Sequence, residues 1–245
     1  PPERAKWGAG VAPAGEDVAV DALEREPIGE ADVVPQIVMH APILPGRRVA
    51  DVKDHPQLRG EGLLLEPLVD PDDDATIDFL LEIADDEASQ RWSLSLRSFS
   101  DPDAVRAWIS HRAGTAHDRE WLVLDEADGR RLGRVSMHRH GSDDAPDEIG
   151  YWTHPAARGR GVARRATRLV ARYAHEQLGL RRIALIHAVA NPASCRVAMA
   201  SSFALEGTLR AALDHGDGVL WDFHLHARLA EDPWDPLPVV VPAGG

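Results

Sequence analysis

Residues 149–180, IGYWTHPAARGRGVARRATRLVARYAHEQLGL, run from a short apolar stretch through a proline and an Arg-Gly knot into a long segment with helical spacing. From Val162 to Leu178 the residues Ala163, Ala166, Leu169, Val170, Tyr173, Ala174 and Leu178 fall on one face, with Arg164, Arg165, Arg168, Arg172 and Glu176 elsewhere. This predicts an amphipathic helix of about 16 residues, ended by Gly179, which suits a helix C-terminus. Before the knot, DEIGYWT (147–153) reads as a strand; after the helix, RRIALIHAV (181–189) is the nearly continuous apolar run of a strand buried on both faces. Strand, helix, strand makes a βαβ crossover, and the fold class is α/β with a mixed sheet.

Working outward, LLLEPLV (63–69) reads as a first strand and DDATIDFLLEIADDEAS as a helix, with Ile77, Leu80, Leu81 and Ala84 at helical spacing behind an acidic cluster. DPDAVRAWISHRAG predicts another helix, with Asp101 as N-cap, Pro102 at the first helical position and Gly114 at the end. EWLVLDEADGRRLGRVSMHRH and DEIGYWTHP read together as a three-strand meander whose first turn holds Asp128-Gly129. NPASCRVAMA predicts a short helix capped by Asn191 with Pro192 first inside, and GVLWDFHLHARL closes the sheet. The expected total is six or seven strands.

Residues 1–60 carry scattered prolines (Pro13, Pro27, Pro35, Pro42, Pro45, Pro56) and no sustained period, so they read as an extension or linker. Residues 61–230 form the predicted domain, and 231–245 a tail. Among the 245 residues, 44% are hydrophobic and 27% charged, as in an ordinary globular protein. No apolar run approaches the ~20 residues of a membrane span, and the first residues carry no export signal, so a cytoplasmic location is expected. A single cysteine, Cys195, excludes internal disulfides and Cys-rich zinc sites. The net charge of −13 argues against nucleic acid as a partner and suits a cationic substrate.

A turn from strand into helix exposes backbone N–H groups and partial positive charge, which makes it a natural anion site. Gly159 and Gly161 let an anion approach the main chain, and Arg158 and Arg160 add charge. A dinucleotide fingerprint fails because Arg164 stands where glycine or alanine is needed, and a Walker loop lacks its Gly-Lys-Ser/Thr end. Arg158-x-x-Gly161-x-Ala163, between a strand and a long helix, resembles the pyrophosphate motif of the GCN5-related N-acetyltransferase (GNAT) superfamily. The resemblance extends over about residues 62–230 through EIGYW, ANPAS and F-x-LEGTLR, and is similar to the RimJ/RimL-type branch that acetylates ribosomal-protein N-termini. It implies a twisted mixed sheet whose strands DEIGYWT and RRIALIHAV splay to admit the pantetheine arm of coenzyme A. Acetyl-CoA would be the co-substrate, held by Trp152, Thr153, Arg158, Gly159, Arg160, Gly161, Val162, Ala163, Asn191 and Ser194.

Acyl transfer to an amine needs a neutral amine, a stabilised oxyanion and a proton for the departing thiolate. The resemblance assigns the proton to Ser194, though a serine there also suits a helix cap. Glu148 shares a strand face with Gly150 and Trp152, and is the candidate to deprotonate or to position the amine. Some relatives use a glutamate seven places after the EG glutamate, and here that place holds Leu213, beside Asp214. His154 and His187 are predicted beside the cleft, where they could relay protons or simply pack. His224 and His226 share a strand face, with His215 ahead of them, but lack a firm third ligand, so no metal is expected. Cys195 is read as no nucleophile. The acceptor is an amine, either a protein N-terminus or a small molecule, and a homodimer is allowed for; an idle acyl-CoA-binding module is the alternative.

Overall fold

The computed structural model describes residues 55–115, 118–138, 147–214 and 218–234. The chain divides into two compact units, Pro1–Val33 and Val34–Gly245, and every described residue belongs to the second. The N-terminal extension up to residue 54, the end of the tail from 235, and His215 lie outside the described residues.

One sheet of eight strands organises this unit: β1 (Leu58–Gly60), β2 (Leu63–Pro67), β3 (Asp118–Asp125), β4 (Arg131–His138), β5 (Asp147–Thr153), β6 (Arg182–Ala188), β7 (Ala204–Asp214) and β8 (Leu220–Leu229). Their order is β1-β2-β3-β4-β5-β6-β8-β7, and of the neighbouring pairs only β5 and β6 run parallel. The helices are α1 (Asp74–Ala84), α2 (Glu87–Trp92), α3 (Leu94–Arg97), α4 (Pro102–Gly114), α5 (Val162–Glu176) and α6 (Pro192–Ala200).

β3 shows how both faces of the sheet are used. Trp121 and Val123 point into a core under α5, while Leu122 and Leu124 point into a second core under α1 and α4. Such two-sided burial explains why β3 reads as an apolar run and not as an alternation. The α5 stripe is as the spacing predicts at Ala166, Val170, Tyr173 and Ala174, all buried, but Ala163 turns from the core to the cleft described below.

Four elements differ from the sequence expectation, the four-residue α3 among them. The predicted helix of residues 73–89 is two, because the Asp86 carboxylate accepts the Ser89 N–H at 2.7 Å and starts α2 afresh. The strand β1 precedes the first predicted strand. β7, where the LEGTLR residues lie, is an edge strand with irregular register at Leu205/Gly207 and Leu209/Leu213. Those shifts erase the alternation that a strand reading needs.

Candidate active site

β5 and β6 pair at two positions only, Asp147 with Ile183 and Glu148 with Ala184. Beyond them the strands diverge, and a cleft of about 740 Å³ opens between them. From β5 it takes Trp152 and Thr153, from the following turn Arg158, Gly159 and Gly161, from α5 Val162 and Ala163, and from the α6 entry Asn191 and Ser194. Four arginines line it, Arg134, Arg158, Arg164 and Arg196, and among the described residues no aspartate or glutamate does.

The turn ahead of α5 has its shape from two left-handed glycines, Gly159 at φ 74° and Gly161 at φ 70°. Gly161 is the N-cap of α5, and no side chain caps that helix. Helices α1, α2, α4 and α6 are each capped by an Asp or Asn side chain. The first-turn amides of α5 therefore open toward the cleft without a side-chain acceptor. A Cβ at Gly159 would meet nothing within 4 Å, so there is room for a ligand against the main chain.

The arginines of the knot are spent on protein carboxylates. Arg158 forms an ion pair with Asp86 and donates to Ser89 Oγ at 2.7 Å. The hydrogen bond that Arg158 donates to the Asp86 carboxylate holds that carboxyl below its ordinary range. Arg160 lies 3.8 Å from Asp125 and off the cleft wall.

Of the two candidate catalytic residues, Ser194 is on the wall and Glu148 is not. Glu148 sits where the strands are still paired, opposite His138 of β4 and Ala184 of β6. The α6 cap belongs to Asn191, whose Oδ1 accepts the backbone N–H of Ser194 at 3.2 Å, so the cap does not use the Ser194 hydroxyl. Leu213 and Asp214 stand on the edge strand β7, away from the wall, and Asp214 accepts the Gly218 N–H at 3.0 Å. His154 turns to α1, where its Nε2 meets Glu82 at 3.1 Å and its ring stacks on Phe79.

Two wall residues were not singled out in the sequence. Tyr151 donates toward the Ser194 carbonyl at 3.4 Å, and burial pushes its phenol up to about 12. It alternates with Trp152 along β5, so it was open to notice as the opposite face of the same strand. Arg134 is buried in an ion pair with Glu120, with its guanidinium 4.5 Å over the Trp152 ring. No periodicity marks it, because a buried arginine in β4 reads like any interruption of an apolar run.

His187, expected beside the cleft, lines its wall, and the fold brings it and Cys195 together with the predicted pair His224 and His226. Burial pushes His187 down to about 4, lowers His226 and raises the Cys195 thiol.

The Acetyltransferase (GNAT) domain family matches residues 63–204, more than half of the chain. The Ribosomal-protein-serine acetyltransferase of Escherichia coli (strain K12) is 31% identical over 100 residues, covering 41% of this chain and 55% of that protein. YdaF of Bacillus subtilis (strain 168), provisionally named a ribosomal N-acetyltransferase, is 36% identical over 86 residues, covering 35% of this chain and 47% of its own. The chain thus spans about half the length of the curated relatives it matches. Among solved structures, RimL, the ribosomal L7/L12 alpha-N-protein acetyltransferase in complex with coenzyme A, shares the fold with a TM-score of 0.63 at 18% identity, over 71% of this chain and 98% of its own. A splayed mixed sheet, a glycine turn into an uncapped helix and the match over residues 63–204 agree: this chain belongs to the GNAT acetyltransferase domain family.

Proposed function

We propose that the chain is an acetyl-CoA-dependent N-acetyltransferase that moves an acyl group to a primary amine by direct attack in a ternary complex. One observation carries the reading: in a protein of net charge −13, the free amides of α5 open onto the cleft between β5 and β6, whose described lining holds Arg164 and Arg196 beside the ion-paired Arg134 and Arg158 and no aspartate or glutamate. That is a built anion site in an anionic molecule. Residues 61–230 form the acetyltransferase body in this reading, 1–60 and 231–245 are its appendages, and the protein works in the cytoplasm.

The coenzyme A diphosphate fits the amides from Gly159 to Ala163, and the pantetheine arm fits between the diverging edges of β5 and β6. Its amide groups there meet main-chain donors and acceptors that the two strands no longer share. The thioester then ends near Ser194 and Tyr151. The amine nitrogen attacks the thioester carbon, the C–S bond breaks, and the thiolate takes a proton from a neutral hydroxyl. Ser194 supplies it in our reading, and Tyr151, kept protonated by burial, stands beside it. Glu148, on the same strand face as Gly150 and Trp152, draws the amine proton or orients the amine. The acceptor we favour is a protein N-terminus, as the names of the relatives suggest, with a small amine as the alternative.

A second reading has its own observation. With no aspartate or glutamate on the cleft wall among the described residues and Leu213 at the place where some relatives carry a glutamate, the chain could bind acyl-CoA without turning it over. Coenzyme A release from acetyl-CoA, measured across N-terminal peptides and small amines, separates the two. Turnover on at least one acceptor supports the enzyme; tight acetyl-CoA binding with no turnover on any of them overturns it.

A further inference from the structure

At the cleft wall, which His187 lines, four side chains from three elements converge. His187 comes from β6, Cys195 from the first turns of α6, and His224 and His226 from one face of β8. One donor atom from each lies within 4.8 Å of all the others. In the pairing of β6 with β8, His187 stands directly opposite His224.

The hydrogen bonds fix where the ring protons are. His187 Nδ1 lies 2.8 Å from the Ala188 carbonyl, and His226 Nδ1 lies 3.2 Å from the Phe203 carbonyl. A carbonyl only accepts, so each ring places its N–H on Nδ1 and leaves a lone pair on Nε2. Those two Nε2 atoms are 3.2 Å apart, and Cys195 Sγ is 3.9 Å from the second of them. Two lone pairs at that distance repel, and a proton between them would create a buried imidazolium. A third polar atom, His224 Nδ1, is buried with no hydrogen-bond partner. One cation among the four would satisfy the two facing Nε2 atoms and the Cys195 sulfur together, with a ring nitrogen of His224 as the fourth donor.

We propose that His187, Cys195, His224 and His226 bind one divalent transition-metal ion, with zinc as the occupant that fits best. Zinc–nitrogen and zinc–sulfur bonds of about 2.0–2.3 Å set tetrahedral ligand atoms about 3.3–3.6 Å apart. The 3.2 and 3.9 Å separations bracket that span. Imidazole with thiolate favours zinc over magnesium or calcium, which prefer oxygen. Backbone carbonyls on both Nδ1 atoms are the outer partners that orient metal-bound histidines. On binding, the Cys195 S–H bond breaks, the sulfur–metal bond forms and the proton leaves to solvent. Four protein ligands close the site, so the ion acts as a staple from the α6 entry to β6 and β8. It thereby steadies the stretch that holds Asn191 and Ser194. The inference stands on these contacts alone and is independent of the acetyltransferase reading.

Full-length protein stripped with a chelator and titrated with Co²⁺ tests this. We expect one Co²⁺ per chain, with the intense ligand-field bands of tetrahedral coordination and a thiolate-to-cobalt charge-transfer band, both abolished when Zn²⁺ displaces the cobalt. Since loss of an outer partner alone costs about 10–100-fold in affinity, Cys195→Ser should cost at least about 100-fold and remove the charge-transfer band. His224→Gln should weaken binding while keeping that band. Zn²⁺ should raise the melting temperature of the wild-type protein and leave that of Cys195→Ser unchanged, with circular dichroism confirming that both variants fold. Failure of the wild-type protein to take up stoichiometric Co²⁺, or wild-type spectra and affinities in both variants, would overturn the site.

Discussion

At Gly133 a Cβ atom would lie 2.3 Å from the carbonyl oxygen of Trp152, a contact that only backbone movement relieves. The glycine lets β4 approach β5 just where β5 carries the cleft wall. Gly133→Ala should therefore destabilise the protein by about 1–3 kcal/mol, as overpacking does, read by denaturant unfolding. Gly161 has space instead of a clash, since its nearest neighbour to a Cβ is Arg164 Nε at 3.9 Å. Its constraint is the left-handed backbone, so Gly161→Ala should cost about 1–2 kcal/mol of stability yet still bind coenzyme A. Gly161→Glu adds bulk and negative charge where we place the diphosphate, and binding by calorimetry should be lost; unchanged affinity would refute the cradle. These two glycines also mark what was legible. Gly161 is visible in sequence because a motif surrounds it, whereas Gly133 stands in RRLGRV with nothing to announce the strand it must touch. The same limit applied to Ser194: sequence allowed its hydroxyl either a helix-start role or the cleft, and the predicted Asn191 cap forms without that hydroxyl. Ser194→Ala should therefore lower kcat while stability stays within about 0.5 kcal/mol, the usual range away from special contacts. A large stability loss with unchanged kcat would return it to a structural role.

Between elements, the joint of α4 with β3 and β4 is electrostatic. Asp118 of β3 accepts from Arg112 of α4 at 2.5 Å and meets His138 Nδ1 of β4 at 3.1 Å. Burial alone would raise the Asp118 carboxyl, but the hydrogen bond and charge of His138, with the charge and hydrogen bond of Arg112, outweigh it and hold the carboxyl at about 2. A folded pKa below the ordinary 3.8 means that the ionised form favours folding above about pH 4, and that this contribution fades as pH falls toward 2. The stability gap between wild type and Asp118→Asn should be present above about pH 4 and close as pH falls toward 2; a gap that does not change over that range would remove Asp118 from this role. Elements built from regular periods were readable: α5 from its stripe, β6 from its apolar run. Where a side-chain contact from afar decides the backbone, sequence was silent. Asp86 starts α2 while it binds Arg158, 72 positions away, and the bulged β7 hides its period.

Across the whole molecule, charge is divided. The chain carries 40 acidic against 27 basic residues, yet among the described residues its cleft wall holds four arginines, two of them ion-paired, and no aspartate or glutamate. The anionic donor and the cationic acceptor that we propose therefore meet fields of opposite sign, local for the first and general for the second. A general field acts at long range and is screened by salt, the Debye length shrinking from about 30 Å at 0.01 M to about 10 Å at 0.1 M. A donor held by main-chain amides and arginines in a cleft is screened less. KM for a basic N-terminal peptide should thus rise several-fold over that salt range, while KM for acetyl-CoA moves less and kcat stays level. Initial rates at saturating donor, repeated with a neutral-bodied amine of similar size, isolate the effect. If both acceptors respond alike, the surface charge serves solubility alone and the acceptor is chosen within the cleft.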